Sequence, residues 1–365
     1  MTADQQSAIN VQRCPRCETL PPQPQGGRVM LWPPLGHTGA KLQRICAEAG
    51  FASTAEAQSD WLEITVPASE VDRFAQELMA ALSRQECLDT RALLLDDASE
   101  PDLGACRHSR SLFELLGYFR SGLVIAILNE QRLTSHFQPI VALDAARSVH
   151  GYEMLLRAAD SQGNAVSPGT LIETARNANL LFQLDVAARG SALRAAAAQQ
   201  VEAKVFINFI PTAIYDPVFC LQKTMATLRE VGLSPAQLVF EVVESEMIDD
   251  MPTLLKILKT YRAAGCQVAL DDLGSGYASL NLLHQLQPDY VKLDMELVRD
   301  VETTPYKAAL TAKILEIANS LGCRSIVEGV ETRAELSWLQ AHGAQLAQGF
   351  LLARPAAQPP RPAAF

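Results

Sequence analysis

Val268-Ala-Leu-Asp271-Asp272-Leu-Gly274-Ser-Gly276-Tyr-Ala-Ser279-Leu280 runs from an apolar strand into two adjacent carboxylates and then into a Gly-Ser-Gly loop. Adjacent acids at the tip of a buried strand repel each other and lose hydration, a cost that a multivalent cation between them offsets. The stretch therefore points to a metal-dependent site on a strand-end loop. The same pattern, a short apolar run closed by a polar residue, recurs on both sides of it.

Upstream lie Ser135–Val141, His150–Leu155, Val205–Asn208 and Leu238–Glu241; downstream lie Tyr290–Leu293, Ser325–Glu328 and Leu346–Gly349. Helical periodicity fills Leu181–Gln199, Met251–Ala264, Pro305–Leu321 and Thr332–His342 between them. Apolar strands alternating with helices at this length predict a parallel α/β fold, specifically a (β/α)8 TIM-like barrel. In such a barrel the C-terminal strand ends converge on one face, where the chemistry is done.

The strand ends carry Glu153, Asn208, Glu241 and Glu244, Asp271 and Asp272, Lys292 and Asp294, Glu328 and Glu331, and Gln348. A single strand-end acid is ordinarily a cap or a solvated loop residue. Their recurrence at successive strand ends is a functional pattern. Hard oxygen donors without a histidine suit Mg2+ or Mn2+ rather than zinc.

Ahead of the barrel the chain is less informative. Residues 1–27 form a Pro-rich lead, and residues 28–106 read as a small α/β module. Its strands are Val29–Trp32, Trp61–Val66 and Arg91–Leu95, and its helices are Thr38–Glu48 and Ser69–Arg84, with Ser69 as N-cap. Leu112–Leu133 is amphipathic and reads as the first helix of a barrel spanning 112–355, with 356–365 as a loose tail.

The net charge of −10 argues against broad electrostatic binding to DNA, RNA or an anionic membrane. Leu112–Leu128, the most apolar segment, is interrupted by Glu114, Arg120 and Gly122, so no membrane insertion is expected. The polar N-terminus and scattered cysteines suit a reduced, cytoplasmic protein. Cys14-Pro-Arg-Cys17 has half of a zinc-knuckle spacing, but a reduced, flexible pair is the simpler reading.

Tyr152-Glu153-Met154-Leu155-Leu156-Arg157 resembles the signature of the EAL domain, the cyclic di-GMP phosphodiesterases. The resemblance extends through Phe137–Val141, Ile207–Pro211, Glu241–Glu244, Leu270–Gly276, Asp289–Asp294, Val327–Thr332 and Gln348–Phe350. It implies hydrolysis of cyclic di-GMP to linear 5′-pGpG with two divalent cations, Mg2+ or Mn2+. Glu153, Asn208, Glu241 and Asp271 would hold one cation, and Asp271 would bridge to a second held by Asp272. Glu328 and Gln348 would complete the site, with Glu328 and Lys292 in catalytic roles.

Arg157, Gln138 and Leu155 would meet the substrate, with Asp294, Glu331 and Gln348 beside them. Glu244 would anchor the loop Asp272–Tyr277. A homodimer follows from the same likeness, and the N-terminal module, outside it, is expected to be regulatory. The alternative is a catalytically silent receptor or scaffold. Met154, Val243 and Leu273 depart from the family pattern: alternation turns Met154 away from the site, and the other two bear on the loop.

Overall fold

The computed structural model describes residues 19–54, 60–95, 103–211, 217–243, 251–274 and 279–362. Two compact units emerge. One comprises the chain up to Glu130 together with Gly169–Leu184, and the other comprises Gln131–Pro168 together with the chain from Asp185.

In the first unit, β1 (Gly27–Trp32), β2 (Ser53–Thr54), β3 (Leu62–Val66), β4 (Arg91–Leu95) and β5 (Arg110–Ser111) form one sheet in the order β2-β3-β1-β4-β5. Helix Gly36–Glu48 connects β1 to β2, and helix Val71–Ala81 follows β3, a split βαβ arrangement. Period-2 alternation buries Leu62, Ile64 and Val66. Glu63, on the opposite face, pairs with Arg28 at 2.8 Å.

The helix expected over Ser69–Arg84 is two helices. Ala68–Glu70 is a 3-10 turn, the first α-helix ends at Ala81, and Arg84–Asp89 starts afresh. Ser83 is the cap: its hydroxyl accepts from the Glu86 amide while its own amide donates to the Glu86 carboxylate. A second such box, Ser111 with Glu114, opens helix Leu112–Arg120. That helix is not the barrel's first. Leu112, Leu115, Leu116 and Phe119 join the core formed by Val29, Leu31, Leu42 and Phe74. An apolar helix face does not specify which core it enters. No single helix among the described residues is long and apolar enough to cross a membrane.

The second unit is a closed barrel. Its strands are β6 (Leu133–Ala142), β7 (Val149–Ala159), β9 (Lys204–Phe209), β10 (Leu238–Val243), β11 (Gln267–Leu273), β12 (Tyr290–Leu293), β13 (Arg324–Val327) and β14 (Leu346–Ala347). Among the described residues, strand β8 (Ala165–Val166) pairs only with β7. The barrel is not wholly parallel: β6 runs against both β7 and β14. A short hairpin joins β6 to β7, too short for the crossover that parallel neighbours require.

Two apolar layers surround the strands. Outside, Phe209, Phe240, Leu270, Val291 and Val327 pack against the helices. Inside, Ile140, Phe206, Val239, Ala269, Tyr290, Ile326 and Leu346 fill the barrel floor. The tail expected to be loose is held at its start: Ala356 and Phe137 exchange backbone hydrogen bonds, and Pro360 accepts from the Tyr152 hydroxyl.

Candidate functional site

Strand geometry turns the floor residues into a template for the layer above. Side chains two positions apart share a face, so Asn208 follows Phe206, Glu241 follows Val239 and Asp271 follows Ala269. Lys292 stands above Tyr290, Glu328 above Ile326 and Gln348 above Leu346. On the reversed strand β6 the offset changes sign, and Gln138 precedes Ile140. One apolar layer and one polar layer therefore come from the same alternation.

Lys292 is the hub. Its ammonium lies 2.7 Å from Glu328, 2.9 Å from Glu241, 3.1 Å from Asp271 and 3.6 Å from Glu153, with 1 % of the side chain exposed. Burial works against the charge, but these four carboxylates outweigh it and hold the Lys292 pKa well above its usual value. Burial pushes the carboxyl groups the other way. Glu241 is raised well above the ordinary range by burial, opposed by Lys292 and reinforced by Glu153 and Asp271. Glu328 rises to about 8 for the same leading reason.

Glu153 is also held from its other sides. The Gln348 side-chain amide donates to Glu153 at 2.6 Å and to Gln138 at 3.0 Å, while Asn208 donates to Glu153 at 3.3 Å. The second carboxylate oxygen of Glu241 and the carbonyl oxygen of Gln348 are sealed from solvent with no hydrogen-bond partner among the described residues. Buried oxygens left unpaired beside further carboxylates fit a cation-binding role.

The Asp271–Asp272 pair owes its aim to a local irregularity. Adjacent residues of a regular strand face opposite ways. Between Leu270 and Leu273 the register of β11 against β12 shifts, and Asp272 takes a left-handed φ of 58°. A bulge of this kind re-aims a side chain, and both carboxylates reach the cleft. Oxygens of Asp271, Asp272 and Glu328 lie within 4.8 Å of one another. Burial and then the Asp271 charge raise the Asp272 pKa to about 6.

The cleft has a volume of about 310 Å³, and its walls include Gln138, Glu153, Asp271, Asp272, Lys292 and Gln348. Glu328, Asp294 and Glu331 also line it. Glu241 is fully buried behind this lining, whereas Asn208, near the end of β9, is exposed and outside it. Asp294 caps helix Met295–Val298 by accepting from the Glu296 amide, and Glu331 pairs with Arg299 at 2.7 Å. Leu155 and Arg157 follow Glu153 at alternate positions of β7 without joining the cleft lining, and Arg157 donates to its neighbour's carbonyl, Leu156 O, at 2.7 Å. Glu244, Tyr277, Cys14 and Cys17 lie outside the described residues.

Sequence reasoning missed Met295, Gly329, Gly349 and Phe350, which complete the lining. Gly329 has a φ of 66°, and a Cβ there would collide with Met295. A glycine directly after a strand-end acid was the available signal. Met154 packs in the outer core, as alternation predicts. Leu273, expected to bear on the loop, is buried in that same core.

A family model described as the EAL domain matches residues 123–355. The chain belongs to the EAL domain family. The cyclic di-GMP phosphodiesterase RocR of Pseudomonas aeruginosa is 30 % identical over 235 residues, 64 % of this chain and 59 % of that protein. The probable cyclic di-GMP phosphodiesterase PdeB of Escherichia coli is 32 % identical over 230 residues, 60 % of this chain and 42 % of that protein. The matched EAL segment thus spans about half the length of these relatives. A standalone EAL protein from Vibrio cholerae, solved with c-di-GMP bound, is 31 % identical with a TM-score of 0.58. It covers 63 % of this chain and 95 % of its own.

Proposed function

We propose that this EAL domain is a phosphodiesterase that opens cyclic di-GMP to linear 5′-pGpG and depends on two divalent cations, Mg2+ or Mn2+. The observation that carries this reading is the largely buried set of oxygen donors around Lys292, with Glu241 and Gln348 oxygens left unpaired among the described residues. Glu153, Asn208, Glu241 and Asp271 would hold one cation, and Asp271 with Asp272 the other. When bound, the cations supply an activated water and neutralise charge on the phosphodiester.

The remaining chemistry belongs to the chain. Lys292 offsets the carboxylates and faces the phosphoryl group. Glu328, 2.7 Å from the Lys292 ammonium, would accept a proton from the attacking water. Gln348 and Gln138 fix the orientation of Glu153. Gln138, Leu155 and Arg157 bind substrate, with Gln348, Asp294 and Glu331 at the cleft wall. The N-terminal unit regulates the barrel, and the protein acts as a cytoplasmic homodimer.

Purified protein given cyclic di-GMP with Mg2+ or Mn2+ should release pGpG, resolved chromatographically, and Glu153→Ala should not. Ligand binding without pGpG under either metal overturns the hydrolase reading in favour of a catalytically silent receptor or scaffold.

A further inference from the structure

Behind the strand end that presents Asn208 lies an ion pair with no contact to the cleft. Asp185 and Arg189, one turn apart on helix Leu181–Ala198, meet at 2.8 Å with 3 % and 2 % of their side chains exposed. Arg189 also reaches the Thr224 hydroxyl at 3.3 Å and the Tyr261 hydroxyl at 3.4 Å, on two further helices. Its guanidinium lies 6.0 Å from the Phe209 ring, which packs against Phe240 and Tyr261. Asn208 and Glu241, neighbours in register across β9 and β10, occupy the opposite face of the same two strands.

Among the described residues, the second carboxylate oxygen of Asp185 has one target. Asp185 Oδ1 accepts from the Ile210 amide at 3.3 Å. Ile210 lies just beyond β9, two residues after Asn208, where the ladder no longer holds the backbone. A buried ion pair adds little net stability over apolar residues of similar volume. What it supplies here is direction: an acceptor fixed by three helices, aimed at one amide at the end of a strand.

We propose that Asp185 and Arg189 are positioning residues that set the strand end carrying Asn208, a reading that rests on the cation site proposed above. Arg189 orients the Asp185 carboxylate, and the carboxylate fixes the Ile210 amide. The Asn208 side chain is thereby held against Glu153. Neither residue touches substrate or cation.

The test compares Mn2+ affinity, by calorimetry, with thermal stability. The double variant Asp185→Leu/Arg189→Met should keep a melting temperature within a few degrees of wild type yet bind Mn2+ about ten-fold more weakly, the scale of outer-shell effects. A folded double variant with wild-type Mn2+ affinity overturns the proposal. If the double variant does not fold, Asp185→Asn and Asp185→Ala replace it. The first keeps an oxygen for the Ile210 amide and should bind Mn2+ about ten-fold more tightly than the second; equal affinities overturn the proposal. Wild-type protein that binds no Mn2+ overturns the cation site itself, a distinct result.

Discussion

Glu241 and Lys292 meet at 2.9 Å with their side chains 0 % and 1 % exposed. Neither charge is tolerable at that depth without the other, and removing one partner of such a pair costs far more than the pair contributes. The contact therefore ties the stability of the barrel to the electrostatics of its cleft.

Lys292→Met should destabilise metal-free protein by about 3–5 kcal/mol, the usual cost of orphaning a buried charge. Glu153, Glu241, Asp271 and Glu328 would then face one another uncompensated. Added Mn2+ should restore part of the loss, because a ligand that binds only the folded state stabilises it. Urea unfolding with and without Mn2+ measures both effects, and an unfolding midpoint indifferent to Mn2+ contradicts the cation site.

Chelation should reduce cyclic di-GMP turnover to background, and Mg2+ or Mn2+ should restore it. Asp271→Asn should not be restored. Asp271 is the ligand proposed to be shared, so its loss should exceed the roughly 10–100-fold typical of outer-shell groups. Steady-state rates before and after dialysis against EDTA provide the check.

His150 gives the fold a pH dependence remote from the cleft. Burial, then Arg324 and Lys204, lowers its pKa from 6.5 to about 4. The unfolded chain takes up this proton as pH falls through 6.5, whereas the folded chain resists until about 4. The contribution is complete above 6.5 and is lost as pH falls through 4. His150→Gln should flatten the stability profile across that window by about 1–2 kcal/mol, discounted for partial solvent screening. Urea midpoints at several pH values should show the wild-type curve falling more steeply; parallel curves would rule the assignment out.

Gly329→Ala should disturb the site more than the fold. Position 329 combines a φ of 66° with contact against Met295, and it follows Glu328 directly. The strain is about 1–3 kcal/mol, and its relief would displace Glu328. Turnover should drop at least ten-fold while the melting temperature falls only a few degrees. Unchanged turnover would show that the Glu328 position is not set by this turn.

Most barrel strands could be read from the sequence because runs such as Val268–Leu270 are apolar on both faces and end in polar residues. The direction of β6 could not be read, since a strand's pattern does not encode how its neighbours run. Helix Leu112–Arg120 has an apolar face that would suit either core. The acids of the site stood out as polar residues closing apolar runs. Met295 and Phe350 carry no such signal. The Glu331–Arg299 pair joins residues 32 positions apart, beyond any local pattern.

The register shift at Asp271–Asp272 has a consequence for how the chain can change. A regular strand offers the barrel interior one side chain in every two, which caps the density of carboxylates that a single strand can deliver. The shifted strand delivers two in succession. Deleting one residue there would restore an ordinary ladder and remove a donor, whereas substitution alone would leave the extra slot in place. Across relatives, the length of this strand should therefore tolerate less variation than the identity of the residues around it.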